Sequence, residues 1–262
     1  MKISVCAPSY KRPTGCETPA YLPFVRVYVD PSEAKEYRRA NPGVTIVECA
    51  KGVQGNLCRV RNHIIDRELR AGADVCLIVD DDLEGVYYWQ KGDAVKPARI
   101  RVDTKVFLGF VEKYAIAARD LGAFLWGLNV NNDKACYREY TPFSMTAYIG
   151  GPFQAIMRGC ALRYDENLPL KEDYDFSLQH LNKYRCTLRV NKAYYMARQS
   201  EQRGGCATYR NMEREKAQLF ALQKKWGSTI VKIDTGRKAH MRENKSKGFD
   251  YNPIIHIPIP GV

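Results

Sequence analysis

Apolar residues in the first third of the chain fall into short runs separated by segments of helical period. Residues 2–7, 24–29, 44–49 and 75–79 read as strands. Between them, residues 31–40 carry Pro31 at a first helical position, and residues 56–69 place Leu57, Val60, Ile64 and Ile65 on one helical face. This β-α-β alternation predicts a mostly parallel sheet with flanking helices, in which ligands gather beyond the carboxyl ends of the strands. Further on, residues 85–102 read as a hairpin and 104–121 as an amphipathic helix. Residues 153–157 form a second apolar block, a helix starts near residue 171 and runs toward Leu181, a basic helix covers about 210–226, and a last strand covers 230–233.

The fourth predicted strand ends in Asp80, Asp81 and Asp82. Three adjacent carboxylates repel one another, and where a buried strand reaches solvent a divalent cation relieves them. Hard oxygen ligands of this kind suit magnesium or manganese, and such a metal usually serves a diphosphate. The structural alternative is an acidic loop capping a helix, for which one Asp would suffice. Acids crowd a second helix start at Glu172, Asp173 and Asp175. Interaction with the helix dipole accounts for one or two of them, which leaves one for chemistry.

At 262 residues the chain can bury one substantial core, as a single α/β domain or with a small appendage. Hydrophobic residues at 45% and charged residues at 27% exclude wholesale disorder. No apolar run approaches the roughly 18 residues that cross a membrane. The first residues enter a strand-like run without a signal-peptide pattern, so the expected location is intracellular. Nine cysteines are widely spaced and include no Cys-x-x-Cys pair, so neither disulfides nor zinc are expected. The net charge of +12 suggests a polyanionic partner, nucleic acid first and an acidic lipid surface second, with a merely solvated lysine face as the alternative. The hairpin interleaves Tyr87, Tyr88 and Trp89 with Lys91, Lys96, Arg99 and Arg101, a pattern able to stack on bases and meet phosphates, or simply strand aromatics beside exposed cations. Residues 237–247 hold Arg237, Lys238, Arg242, Lys245 and Lys247 against Glu243 alone, either an arm for a polyanion or a solvated tail.

In order along the chain stand Ala7-Pro8-Ser9-Tyr10-Lys11-Arg12, Asp30 ending the second strand, Arg59-Val60-Arg61-Asn62 on a helix, Asp80-Asp81-Asp82, and Lys171-Glu172-Asp173-Tyr174-Asp175. This series resembles glycosyltransferases of the GT-A type and, within them, the TET-associated glycosyltransferases, over about residues 2–233. The resemblance implies a GT-A-like domain over 1–236, with a Rossmann-like nucleotide-sugar half at about 1–102 and an acceptor half at about 103–236, followed by a basic tail, 237–262. It also implies transfer of a sugar from a nucleotide-sugar, UDP-glucose or UDP-N-acetylglucosamine, to a 5-hydroxymethylpyrimidine such as 5-hydroxymethylcytosine in DNA, in a cytoplasm that is the host's if the chain is phage-encoded.

By the same resemblance Pro8 and Tyr10 belong to the loop that holds the nucleotide, with Asn62 part of the helical motif and Asp30 contacting base or ribose. A turn-starting Asp before Pro31 is the structural alternative for Asp30. Asp80 and Asp82 match the outer acids of the Asp-x-Asp motif that holds Mn2+ or Mg2+ and the diphosphate, with Asp81 beside them. Arg12, Arg59 and Arg61 would neutralise charge on the departing diphosphate, or else are surface helix residues. Asp173 is the expected base toward the acceptor hydroxyl and Glu172 its alternate. The superfamily often adds a late histidine to the metal, for which His240 and then His180 are candidates. Tyr87, Trp89, Arg99, Lys245 and Lys247 are candidates for holding DNA. Gly150-Gly151 and Gly204-Gly205 allow close backbone approach or plain turns. Two rival readings stand beside this one: a glycosyltransferase acting on a glycan, lipid or protein hydroxyl, and a catalytically inactive nucleic-acid-binding module, against which the intact acids argue.

Overall fold

A computed structural model describes residues 1–90, 98–133, 139–198, 204–233 and 251–257. Its centre is a ten-stranded sheet. Strands β1 (Ile3–Pro8), β2 (Arg26–Val29), β3 (Thr45–Glu48) and β4 (Val75–Val79) pair in parallel in the order β3-β2-β1-β4. The sheet continues through β9 (Phe153–Met157), β7 (Leu125–Asn129), β10 (Leu188–Ala197), β5 (Leu83–Gln90) and β6 (Ala98–Arg101), with β8 (Phe143–Ser144) beside β10. Here β9 runs antiparallel to β4 and β7, and β5 runs antiparallel to β10 and β6, while β7 and β10 are parallel. The α/β architecture with flanking helices is therefore present, with the parallel order concentrated in the first four strands.

Alternation along each inner strand divides its side chains between two cores. Val75, Leu77 and Val79 join one cluster with Val5, Ala7, Trp126 and Phe153, covered by α4 (Thr104–Asp120) through Phe107, Val111 and Ala115. Cys76 and Ile78 join the other with Cys6, Tyr28 and Ile156, covered by Val60, Ile64 and Ile65 of α3 (Leu57–Arg70) and Phe176 of α5 (Glu172–Tyr184). Asn56 caps α3 by accepting from the Arg59 backbone at 3.2 Å. A third, smaller cluster joins Leu178 to Leu219 and Leu222 of α6 (Met212–Trp226) and to the ribbon β11 (Val231–Lys232) with β12 (Ile254–Ile255).

The predicted strands at 75–79 and 153–157 coincide with β4 and β9. Two short helices precede α3: α1 (Thr18–Tyr21), which no sequence pattern announced, and α2 (Ala34–Ala40). The latter begins later than the expected residue 31, because the Asp30 side chain accepts from the Ser32 amide at 2.9 Å and closes a turn first. Strands β7 and β10 have no counterpart among the predicted elements. Among the described residues no helix is long and apolar enough to cross a membrane.

Candidate active site

A cavity of about 770 Å³ opens beyond the carboxyl ends of β1 and β4. Its walls are the loop after β1, residues 54–56 before α3 with the first turns of that helix, the acids after β4, the start of α5 and residues 205–207 and 209–212. The parallel half of the sheet thus brings its ligand-binding edge against the first turn of α5.

The turn carrying the three acids is held from behind by Thr18, fully buried at the start of α1. Its hydroxyl donates to the Asp80 carbonyl at 2.6 Å and accepts from the Leu83 amide at 2.8 Å. The Asp80 carboxylate takes the Arg61 guanidinium at 3.0 Å. Asp81 turns toward the first loop, accepting from the Ser9 hydroxyl and from Arg12 Nη1 at 3.2 Å. Asp82 has Arg12 Nη1 at 3.9 Å, and its Oδ1 is buried without a hydrogen-bond partner among the described residues. Burial pushes the Asp81 carboxyl up to about 6 against the pull of Arg12. Burial and the neighbouring charges of Asp80 and Asp81 push Asp82 up to about 7.

An orphaned carboxylate oxygen in an acid-rich turn fits a divalent cation. Among the described residues no three His, Cys, Asp or Glu side chains converge on one point. This suits a metal that takes one or two carboxylates and completes its shell with water and substrate phosphates, as Mg2+ and similar hard cations do. Asp80 and Asp82 are the residues that would hold it.

At the other wall, Asp173 Oδ2 accepts from the Tyr148 hydroxyl at 2.5 Å and the Gly151 amide at 3.1 Å, while Oδ1 accepts from the Tyr174 amide at 2.9 Å. Burial and the Asp173 charge raise Tyr148 well above its usual range, so it stays a donor. A Cβ on Gly151 would lie 3.2 Å from Arg61 and 3.4 Å from Asp173, so the second glycine of that pair serves close approach. Glu172, beside Asp173, receives Arg61 Nη1 at 3.3 Å. Its own burial and the Asp173 charge push Glu172 up to about 8.

Arg61 joins the two acid sets. It is 1% exposed, and its terminal nitrogens are spent on Asp80, Glu172, Gln154 Oε1 at 3.2 Å and the Gly151 carbonyl at 3.1 Å. It therefore braces the two acid sets against each other at the cavity wall. Arg12 does line the cavity, and the loop that carries it is clasped from outside by the Gly205 amide, which donates to the Tyr10 carbonyl at 2.7 Å. Gly205 takes φ 51°, in the left-handed region that favours glycine, and a Cβ there would lie 2.2 Å from Arg12 Nη2 and push the guanidinium aside.

Pro8, Tyr10, Arg12, Arg61, Asp80, Asp81, Asp82, Glu172 and Asp173 therefore meet at one cavity, as the sequence led us to expect. Three expected nucleotide ligands are not among its lining residues. Asp30 is turned onto Ser32, Arg59 is exposed and paired with Glu166 at 3.0 Å, and Asn62 bonds both ways to the Tyr164 backbone. Of the residues proposed for DNA, Trp89 is buried and stacked on Tyr194 at 5.0 Å, so its ring is not available to a base. Arg99 sits 3.9 Å over the Tyr87 ring on β5 and β6, away from the cavity. His180 is fully buried, its Nδ1 bonded to the Phe176 carbonyl at 2.8 Å, and has no part in the acid-rich turn. His240, Lys245 and Lys247 lie outside the described residues. Sequence reading did not single out Thr18, Gln54, Tyr148 or Arg210; the last lines the cavity and is paired with Glu215 at 2.9 Å.

The family model described as TET-Associated Glycosyltransferase matches residues 20–205. No curated protein sequence matches the chain. Among solved structures, the chain is similar to glucosyl-3-phosphoglycerate synthase from Mycobacterium tuberculosis in complex with Mn2+, UDP-glucose and phosphoglyceric acid. The TM-score is 0.52 at 13% identity, over 89% of this chain and 84% of that one. A second structure of that synthase, with Mn2+, UDP and phosphoglyceric acid, matches with a TM-score of 0.50 at 13% identity, over 98% of this chain and 87% of the other. These likenesses establish the GT-A fold.

Proposed function

The chain belongs to the TET-associated glycosyltransferase family, whose members are nucleotide-sugar-dependent glycosyltransferases, and from that premise we propose that it transfers a sugar from a uridine diphosphate sugar to the hydroxyl of a 5-hydroxymethylpyrimidine, 5-hydroxymethylcytosine, in DNA. The observation that carries this reading is the pair of acid sets braced across one cavity by Arg61. One set suits a diphosphate and its cation, the other a hydroxyl that must lose a proton.

In this mechanism Asp173 accepts the proton of the hydroxymethyl group as its oxygen bonds to the anomeric carbon. The bond from that carbon to the diphosphate oxygen breaks, and its electron pair leaves with the diphosphate. Tyr148 and the Gly151 amide hold Asp173 in one orientation. A divalent metal held by Asp80 and Asp82 would supply positive charge against that developing on the leaving group. In-line attack on the face opposite the diphosphate inverts the sugar carbon. Arg12, anchored by Asp81, adds a fixed cation on the donor side.

The DNA acceptor is supported by the net charge of +12 and by the family. Tyr87 and Arg99 at the sheet edge and Lys245 and Lys247 of the basic tail remain the proposed contacts to its backbone. A hydroxymethyl group must enter a concave cavity to reach Asp173, which favours a single-stranded or extruded base. The test is mass spectrometry of nucleosides from DNA containing 5-hydroxymethylcytosine, after incubation with the protein, Mn2+ and a mixture of nucleotide-sugars. A hexose or N-acetylhexosamine gain on that nucleoside is the expected result. Metal-dependent donor hydrolysis with unchanged DNA would overturn the acceptor and leave the transferase, sending the search to glycan, lipid or protein hydroxyls.

A further inference from the structure

The donor half of the cavity contains an uncommitted hydrogen-bond acceptor where a nucleobase would lie. Gln54 lines the cavity on the loop between β3 and α3, half-buried. Its Nε2 donates to the Tyr28 carbonyl at 3.1 Å and to the Ser9 carbonyl at 3.4 Å, with Cys49 Sγ at 3.7 Å. These partners determine which way the amide faces. Only the nitrogen can donate to carbonyls, and a flipped amide would set its oxygen against two carbonyl oxygens. Gln54 Oε1 is consequently the outward atom, with no donor on it among the described residues, and the residue cannot rotate to offer an N–H without giving up its two carbonyl partners.

The neighbouring polar side chains are already spent. Ser9 bonds Asp81 and Tyr37, and Asn56 caps α3 and donates to the Glu166 carbonyl at 2.8 Å. Asp30, the residue expected to meet the base, is closed on its own turn. The sheet order supplies the spacing. Gln54 rests on carbonyls at the ends of β1 and β2, and Asp80 follows β4 on the far side of β1. At about 4.8 Å per strand, the base position and the acid-rich turn are separated by roughly 5–10 Å. A nucleoside bridges such a gap with its base at Gln54 and its phosphates at the acids.

Resting on the reading of this cavity as the donor site, we infer that Gln54 selects the nucleotide of the donor: its carbonyl oxygen accepts the ring N–H of an imide base, uracil or thymine. Cytosine presents a bare ring nitrogen at that place, whose lone pair faces the Gln54 oxygen, and the locked amide offers no donor to answer it. Tyr10, in the same lining, provides an aromatic face beside the base.

The test is calorimetric titration of the full chain with UDP, TDP, CDP and 3-methyluridine diphosphate in the presence of Mn2+. UDP and TDP are expected to bind alike, and CDP and the N3-methylated nucleotide about tenfold or more weaker, the loss that follows an unpaired buried acceptor. Gln54→Leu should weaken UDP by about tenfold and leave CDP no weaker than before, erasing the preference. CDP or 3-methyluridine diphosphate binding as tightly as UDP overturns the inference, as does a Gln54→Leu protein that keeps the wild-type preference. The wild-type panel decides the matter even if loss of the Ser9 and Tyr28 ties unfolds the variant. If no nucleoside diphosphate binds at all, it is the donor reading of the cavity that fails, a different outcome from equal binding of all four.

Discussion

The two acidic clusters that face each other across the cavity are built on opposite plans. The set after β4 has more oxygens than partners: Asp82 Oδ1 is buried with none, and Asp81 and Asp82 are pushed up to about 6 and about 7. At the start of α5 every Asp173 oxygen is engaged, one by Tyr148 and Gly151, the other by Tyr174. A buried anion without partners is costly, and a fold that retains one has a use for the missing cation. A carboxylate aimed by three donors is already in its working state. On the proposed mechanism the first cluster is an unfinished coordination set and the second the base, with Arg61 bonded to both.

The sharpest way to break this comparison is Asp173→Asn. The amide keeps the size of the side chain and removes the proton acceptor, so turnover should fall by about a thousandfold. Binding of Mn2+ and UDP, which depends on the other cluster, should remain as in wild type. Single-turnover transfer alongside calorimetry separates the two. Wild-type turnover would remove Asp173 from the mechanism and hand the proton to Glu172.

The complementary change, Asp82→Asn, should weaken Mn2+ binding in the presence of UDP by roughly a hundredfold, the scale of a lost metal ligand or its support. It should also raise the melting temperature of the metal-free protein by a few degrees, because it removes a buried charge that only Arg12, at 3.9 Å, answers among the described residues. Asp173→Asn has no reason to do so. A metal-free Asp82→Asn protein that melts lower than wild type would mean that Asp82 is satisfied without a cation, and the contrast between the clusters would collapse.

The acids were legible in sequence because adjacency at a strand end is itself the signal; the strand before them, Val75–Val79, is a continuous apolar run of the kind a doubly covered parallel strand requires. The same logic found β9. It could not find β7, where Gly127 interrupts Leu-Trp-Gly-Leu-Asn, or β10, where Leu188-Arg189-Val190-Asn191 alternates but Lys192 and a register shift between Val190 and Tyr194 break the pattern. The residues that aim the acids were hidden for another reason. Tyr148 meets Asp173 across 25 positions and Thr18 meets Asp80 across 62, contacts that only the folded sheet creates. Arg61 was found, but a sequence shows a cation near acids without showing that burial commits its terminal nitrogens to them. Asp30, Arg59 and Asn62 matched family positions, yet each is engaged by protein groups away from the cavity.

Within the second cluster the two acids also differ, and Glu172→Gln is the finest probe of that difference. Burial and the Asp173 charge raise Glu172 to about 8 despite the opposing charges of Arg61 and Arg210. At neutral pH it is therefore mostly protonated and holds no proton vacancy for an acceptor hydroxyl. Gln preserves its size and its ability to accept from Arg61, so turnover at pH 7 should stay within about threefold of wild type, against the thousandfold expected for Asp173→Asn. The linkage has a definite sign. A carboxyl whose folded pKa lies above its unfolded value of about 4.3 favours the folded state below that value, and this contribution is lost as pH rises through about 8. Wild type should accordingly lose melting temperature between pH 6 and pH 9, and Glu172→Gln should lose less over the same interval. Equal losses in the two proteins would mean that Glu172 is already ionised in the fold, paired with Arg61, and would restore it as a candidate base beside Asp173.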